Sequence, residues 1–198
     1  MKPTASKQEE LERLGRALRT LSGSNRALLR ATDELALLRE ICRVVIEEAG
    51  YRVAMVVRAE HDEAKSITVL ARHTAVEIQA PVPQLTWGGG ERGASGTGTA
   101  IRTAQPCLIS DTSDEAVMPP YWREVSRQQG MRSLLALPLH VDGEVFGALT
   151  IGAPEVDAFE TQERAVLEET AADLAFGLEM LRSRQRREHA EALSLIHI

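Results

Sequence analysis

Residues 130–152 read GMRSLLALPLHVDGEVFGALTIG and carry the strongest structural signal in the chain. Asp142 and Gly143 form the pair that accepts the positive φ angles of a tight type I′ turn, so the flanking runs are expected to pair as a hairpin. Apolar residues recur at every second position on both sides of the turn, and most positions between them are apolar too. Both faces of the hairpin are therefore expected to be covered, inside a sheet. Pro138 cannot donate to a ladder and predicts a bend or bulge.

The bulk composition limits the classes of function. The chain has 198 residues, of which 43% are hydrophobic and 26% charged, enough for one core and flanking helices. The net charge is −6, and the sequence has no patch of basic residues interspersed with aromatic ones. We therefore predict that nucleic acid is not a partner. The apolar runs are too short to span a bilayer, and the charged first 20 residues do not resemble a signal peptide. We therefore predict a cytoplasmic location without membrane association. Two cysteines do not make a disulfide framework.

Residues 6–35 carry a heptad repeat with leucine at each d position and Asn25 at an a position. This pattern is typical of a parallel two-stranded coiled coil whose register the asparagine sets. The alternative is an ordinary amphipathic helix interrupted at Ser22-Gly23-Ser24, because glycine costs about 1 kcal/mol in a helix interior. We predict a homodimer through the flanking helices, with these dimerisation residues: Leu14, Leu18, Leu21, Asn25, Leu28, Leu178 and Leu181.

The remaining chain predicts alternating helices and strands. A wide apolar stripe over 33–48, ended by Gly50, indicates a helix that packs on a sheet. Shorter patterns predict strands at 51–58, 66–72 and 107–109, a long loop at 74–94, short helices at 96–103 and 112–129, and a long last helix from about residue 160. Gly96 and Gly98 match only the first part of a dinucleotide-binding fingerprint, and tight turns or close helix packing explain them better. The alternative is that an anionic group of a bound ligand lies at this helix start.

Three motifs resemble the GAF domain family, which is related to PAS domains. They are GTAIRTAQPCLISD (98–111), GMRSLLALPLHVDGEVFGALTI (130–151) and the Phe159-Glu160-Thr161-Gln162-Glu163 segment that opens the last helix. The resemblance covers roughly residues 30–180. It divides the chain into a coiled-coil-like linker helix at 1–32, a GAF sensory domain at 33–181 and a truncated signalling-helix stub at 182–198, with 193–198 as a fragment end.

The resemblance implies an α+β fold. A central antiparallel sheet of about six strands would carry helices on one face and long N- and C-terminal flanking helices. Loops and short helices on the other face would close a ligand pocket. The candidate pocket residues are Tyr51, Met55, Trp87, Ser95, Thr97, Cys107, Ile109, Met118, Trp122, Ser133 and Leu135. No metal site is predicted, because His61 and His73 have no further ligands at suitable spacing.

The ligands known for the family can be tested against this sequence. The Asn-Lys…Phe…Asp-Glu pattern of members that bind cyclic nucleotides is not recognisable. Members that bind bilins attach them through a cysteine with a nearby histidine, but Cys107 is followed by leucine and isoleucine. Bilin, haem and cyclic nucleotide are therefore not supported, and the expected ligand is an unidentified small organic molecule.

Three functions remain open. The first is a non-catalytic sensor in a bacterial signal-transduction protein, which relays ligand or redox state through dimeric flanking helices to a missing C-terminal output domain. That domain would be a diguanylate cyclase, phosphodiesterase or histidine kinase. The second is an enzyme that resembles the free methionine sulfoxide reductases of the family, although only Cys42 and Cys107 could exchange thiols. The third is a dimerisation spacer with a filled pocket. We predict the first, and no enzyme activity.

Overall fold

Five antiparallel strands form one sheet in the computed structural model, which describes residues 6–77 and 83–196. The strands are β1 (Val53–Ala59), β2 (Ile67–Thr74), β3 (Cys107–Ile109), β4 (Ser133–Val141) and β5 (Glu144–Ala153), in the order β2-β1-β5-β4-β3. The predicted hairpin is β4–β5, and β5 is the central strand. Asp142 and Gly143 have φ angles of 53° and 83°, as a type I′ turn requires. The pairing shifts register between Leu139 and His140, one residue past Pro138.

The α+β fold is confirmed, with five strands in the described residues where about six were predicted. Next to β2 at the edge of the sheet, Thr86 forms an isolated bridge with Ser66. The loop predicted at 74–94 contains residues 78–82, which lie outside the described ranges, as do 1–5 and 197–198 at the two ends.

Six α-helices accompany the sheet in the described chain. They are α1 (Lys7–Arg30), α2 (Glu34–Arg43), α3 (Gly90–Gly93), α4 (Gly96–Thr103), α5 (Pro120–Gln128) and α6 (Thr161–Ile196), and a π-helical turn at Val44–Glu48 continues α2. The helix predicted over 6–35 ends earlier, at Arg30. Asp33 begins the next helix, because its side chain accepts a hydrogen bond from the Ala36 amide at 2.8 Å. None of the helices described here is long and apolar enough to cross a membrane.

The sheet is covered on both faces, as the two-sided apolar pattern of the hairpin predicts. The first face carries α1, α2 and α6 over a core that includes Leu37, Leu149 and Leu174. The second face carries α4, α5 and the segment before α3, over a smaller cluster that includes Leu134 and Ala148. We call these the helix face and the cavity face.

Helix α1 lies parallel to α6 and packs on its own domain. Near the start of both helices, Arg13 forms an ion pair with Glu160 at 2.6 Å; near the other end, Leu28 packs against Gly177. The side of α1 that faces the domain consists of small residues, all of them buried: Ala17, Thr20, Gly23, Ser24 and Ala27. Small side chains allow the two helix axes to approach closely.

The predicted coiled-coil positions of α1 therefore lie away from the domain. Leu11 and Leu18, at a positions, are 63% and 48% exposed, and Asn25 is exposed too. The d residues Leu14 and Leu21 are half-buried. We call this stripe, from Leu11 to Asn25, the a/d stripe.

The dimerisation residues predicted on α6 need correction. Leu178 is completely buried in the core of its own domain, and Leu181 is half-buried against that core, so neither offers an exposed surface to a partner. The same holds in part for Leu28, which is half-buried against Gly177. The large exposed apolar side chains in this part of α6 are Phe176 and Met180. The apolar period of α6 serves the intramolecular core.

Replacing Gly23 with alanine should destabilise the domain. A Cβ at this position would meet the Cγ1 atom of Val44, and overpacking of this kind costs about 1–3 kcal/mol. Chemical denaturation of Gly23→Ala should show that loss. In the control Gly15→Ala, the nearest atom to the new Cβ is Arg19 Nη1 at 3.5 Å, so the free energy of unfolding should rise by up to about 1 kcal/mol. Stabilisation by both substitutions would contradict the close packing of α1.

Candidate ligand-binding site

A cavity lies on the cavity face, between the sheet and the elements α4 and α5. Its free volume is about 50 Å³. The residues that line it come from four strands, two helices and the connecting segments: Val53, Met55, Arg72, Pro83, Leu85, Ser95, Gly96, Thr97, Met118, Trp122, Val125, Ser126, Gln129, Met131, Leu134 and Thr150. Most of these side chains are apolar, and a few polar groups converge on the same space, which is the usual make-up of a small-molecule site.

The cavity floor contains a row of three residues across neighbouring strands. Met55 of β1 pairs with Arg72 of β2 on one side and with Thr150 of β5 on the other. Directly opposed residues in antiparallel strands point to the same face, so all three side chains share the cavity floor. Two strand spacings separate the backbones of Arg72 and Thr150 by about 10 Å. The floor thus has a cationic end, an apolar middle and a hydroxyl end.

The start of α4 forms one wall. Ser95 is its N-cap, and the Ser95 hydroxyl accepts a hydrogen bond from the Gly98 amide at 3.0 Å. Two residues on, the Thr97 hydroxyl lies 2.9 Å from the Thr150 hydroxyl, so helix and floor are joined by a buried hydrogen bond. Gly96 is required here because a Cβ would collide with the Leu134 side chain.

Helix α5 and its neighbours form the roof. The Trp122 indole donates a hydrogen bond to the Glu91 carbonyl at 2.8 Å and holds α5 against α3. Three methionines, Met55, Met118 and Met131, line the floor and the roof. Unbranched, polarisable methionine side chains fill irregular space and rearrange readily.

Arg72 enters the cavity from the edge strand β2. Its one recorded side-chain hydrogen bond is from Nη2 to Gln129 Oε1, at 3.5 Å, the outer limit for such a bond. Partial burial lowers the pKa of Arg72, since desolvation disfavours the cation. No ion pair with a carboxylate is recorded for Arg72 within the described ranges.

The structure brings five of the predicted pocket residues to this cavity. Met55, Ser95, Thr97, Met118 and Trp122 all line it. Three others, Trp87, Cys107 and Ile109, belong to the apolar cluster of the cavity face but do not line the cavity. The Trp87 indole instead donates to the Glu60 carbonyl at 2.9 Å. Whether the five bind a ligand stays a prediction.

Tyr51, Ser133 and Leu135 lie on the other side of the sheet, and their assignment to the pocket needs correction. Tyr51 and Leu135 belong to the core of the helix face. Ser133 points the same way as Leu135, because alternate residues of a strand share a face. In a strand that is apolar at nearly every position, the sequence does not show which alternate residues face the helix face and which face the cavity face. The sequence pattern could therefore not assign these residues to one face.

The Tyr51 hydroxyl takes part in a buried polar network on the helix face. It donates to Glu163 Oε1 at 2.6 Å, and Arg16 Nε donates to the same oxygen at 3.3 Å. Glu163 is only 1% exposed, and burial raises the pKa of its carboxyl despite both donors. Its Oε2 atom has no hydrogen-bond partner. The network joins α1, α6 and the approach to β1.

This raised pKa predicts a stability that falls with pH. In the unfolded chain, Glu163 loses its proton above about pH 4.3, whereas in the folded state the raised pKa keeps the proton bound to higher pH. The carboxyl therefore contributes its full stabilisation below about pH 4.3, and this contribution is lost as pH rises through the raised pKa. Denaturant unfolding over pH 4–8 should show a negative slope in wild type that Glu163→Gln lacks. In Tyr51→Phe the decline should extend to higher pH, because the tyrosine hydrogen bond lowers the pKa of Glu163. Parallel profiles for wild type and Glu163→Gln would refute the prediction.

The two cysteines lie on opposite faces of the sheet. Cys42 is buried in the helix-face core, and burial raises the pKa of its thiol to about 12. Cys107 packs against the cavity-face cluster, and burial raises the pKa of its thiol as well. Exchange between two sulfurs needs them within reach of each other, so this placement gives no support to a Cys42–Cys107 pair. Within the described ranges, no group of three histidine, cysteine or carboxylate side chains could hold a metal ion.

The most informative residues that sequence reasoning missed are Arg72, Gln129 and Thr150. Thr150 is a polar residue inside the apolar run of β5, which is a weak signal of a site, whereas Arg72 lies in a strand with other polar residues and gives none. Gln129 follows α5 at the end of a polar segment and gives no signal at all.

One antiparallel sheet, with long helices on one face and short helices and a small cavity on the other, defines an α+β domain. A family model described as "GAF domain" matches residues 31–179, so the chain belongs to the GAF domain family. The resemblance found in the sequence is confirmed. No curated protein matches the sequence.

Solved structures share the fold at low sequence identity. Free methionine-R-sulfoxide reductase from Neisseria meningitidis, solved with its substrate, is 18% identical with a TM-score of 0.69, over 91% of this chain and 96% of that one. The GAF domain of a phosphoenolpyruvate-protein phosphotransferase from Acinetobacter is 12% identical with a TM-score of 0.63, over 86% and 97%. A bacteriophytochrome from the photosynthetic bacterium R. palustris is 15% identical with a TM-score of 0.66, over 90% of this chain and 41% of that one.

The prediction that the chain is not an enzyme is contradicted by this comparison. Methionine sulfoxide reductases from two bacteria, Neisseria meningitidis and Staphylococcus aureus, have the same fold. The fold therefore gives no ground for excluding catalysis. At 13–18% identity the likeness establishes the fold alone.

Proposed function

We propose that this chain is a sensory GAF domain that binds a small molecule in the cavity under α4 and α5. The observation that carries the proposal is the cavity itself, which is enclosed by two helices and floored by the sheet, and has an apolar lining with convergent polar groups. The elements that would transmit occupancy, α1 and α6, lie on the opposite face of the same sheet.

The size of the cavity restricts the ligand. One buried water needs about 10–15 Å³ of free volume, so the space present holds about four water-sized groups. Drug-sized ligands occupy about 300–1,000 Å³. A ligand larger than a few non-hydrogen atoms would have to displace methionine side chains of the floor and roof.

Occupancy can reach the flanking helices through β1 and β5. Met55 and Thr150 face the cavity, and their chain neighbours Ala54 and Ile151 face the core beneath α2 and α6. A ligand that binds one arrangement of these layers more tightly shifts the population towards it. Helix α6 has 36 residues and is about 54 Å long, enough to carry such a change to an output domain such as a diguanylate cyclase, phosphodiesterase or histidine kinase.

The a/d stripe of α1 supports a homodimer. The small-residue side of α1 is occupied by its own domain, whereas Leu11 and Leu18 of the heptad remain exposed. Two copies that paired these stripes in parallel would bury Leu11 and Leu18 at positions where coiled coils place apolar residues. Phe176 and Met180 are the exposed apolar side chains through which α6 could join the interface.

Methyl NMR on methionine-labelled protein tests ligand binding in the cavity. The chain has five methionines, of which Met55, Met118 and Met131 line the cavity and Met180 is exposed on α6. A panel of small fragments should contain compounds that shift the three cavity methyl signals saturably and leave Met180 unchanged. If no fragment does so, the cavity is filled by its own side chains and the domain acts as a spacer.

Sedimentation of Leu18→Glu tests the dimer. Leu18 is exposed in the single chain, so glutamate should leave the monomer folded, but it would bury a charge between two a/d stripes and convert dimers to monomers. Leu29→Glu is the control, because Leu29 is 89% exposed and lies off the stripe, and it should stay dimeric. If the wild-type protein is a monomer, there is no dimer of the proposed kind. If Leu29→Glu dissociates the dimer and Leu18→Glu does not, the interface lies elsewhere.

A further inference from the structure

Among the described residues that line the cavity, Arg72 is the one with a charged side chain. Its guanidinium has five N–H donors. Against these, one acceptor is recorded, Gln129 Oε1, at the limiting distance of 3.5 Å. Arg182, another half-buried arginine, holds Glu34 through two nitrogens, at 2.5 and 3.1 Å.

Placing a cation in a partly desolvated cavity costs free energy unless an anion or acceptors accompany it. Burial lowers the pKa of Arg72, which is the expected sign of that cost. None of the described residues that line the cavity is a carboxylate that could pair with Arg72, so a ligand that enters the cavity can supply the anion.

We propose that the cavity binds a small organic carboxylate, whose anionic group pairs with Arg72 and whose other end lies against the hydroxyls of Thr97 and Thr150. This inference rests on the proposed ligand-binding function and names the ligand class. The planar guanidinium fork matches the two oxygens of a carboxylate, and such charge-assisted bonds are about twice as strong as neutral ones.

The rest of the cavity fits the same class. Met55 lies between Arg72 and Thr150 in the floor row, so the centre of the ligand meets an apolar surface. At the far end, the hydrogen-bonded pair of hydroxyls can accept from or donate to a second polar group. Gly96 and Thr97 line the same cavity, and their amides, in the first turn of α4, have no intrahelical acceptor. The free volume suits about four non-hydrogen atoms.

A purely structural role for Arg72 makes a different prediction. Arg72 lies near Gln129, the C-cap of α5, where a cation interacts favourably with the helix end. If that were its whole role, removal of the charge would change stability, and carboxylates would bind no better than neutral isosteres.

The experiment compares acetate with acetamide, which has nearly the same shape without the charge, at constant ionic strength and with the methionine methyl signals as readout. Acetate should shift Met55, Met118 and Met131 saturably, with Met180 unchanged. Acetamide should bind about tenfold or more weakly, a difference of about 1.4 kcal/mol. Arg72→Gln should lose the preference for acetate, and Arg72→Lys should keep part of it, since it retains the charge without the fork.

Arg39→Gln is the matched control, because Arg39 is exposed on α2 and its loss changes the net charge equally. It should bind acetate like wild type. Equal binding of acetate and acetamide, or unchanged acetate binding in Arg72→Gln, overturns the carboxylate inference and leaves the proposed ligand-binding function intact. If neither acetate nor any neutral fragment shifts the three cavity signals, both fall together.

Discussion

The structure depends on one constraint, which is that the central sheet must be covered on both faces. Strands β4 and β5 are apolar at nearly every position, so neither face can be left in water. The helix face is closed by long helices that pack Leu149 and Leu174 into one core, and the cavity face by short helices and connections. Short elements pack less completely than long ones, and the cavity lies on their side.

Each face of the sheet also carries a cluster of polar residues, and the two clusters differ in how completely their polar groups are paired. On the helix face, Glu163 is buried with Tyr51 and Arg16, and the network joins α1 to the domain at some cost in burial. On the cavity face, Arg72 lacks a comparable partner. The first cluster is nearly complete within the chain and fits a structural role. The second is incomplete, which is the physical basis for assigning it to a ligand.

Shared fold and shared chemistry are separate matters in this family. The chain has the fold of methionine sulfoxide reductases and of signalling domains alike. In this chain the described lining of the cavity includes three methionines, two threonines, two serines and an arginine, and it contains neither thiol.

Local chemistry in the sequence determined the hairpin, its turn, the family and most element positions. Asp142-Gly143 and the alternating apolar residues depend only on neighbours along the chain. Contacts between distant segments decided the rest. The same heptad was compatible with pairing to another chain or to α6, and it is Gly177 and the small residues of α1 that bring α1 onto its own domain. Likewise, Tyr51 and Leu135 were apolar enough for either face, and only the stacking of layers placed them opposite the cavity. Arg72 gained its significance from strands that pair across the sheet, a relation that no local pattern contains.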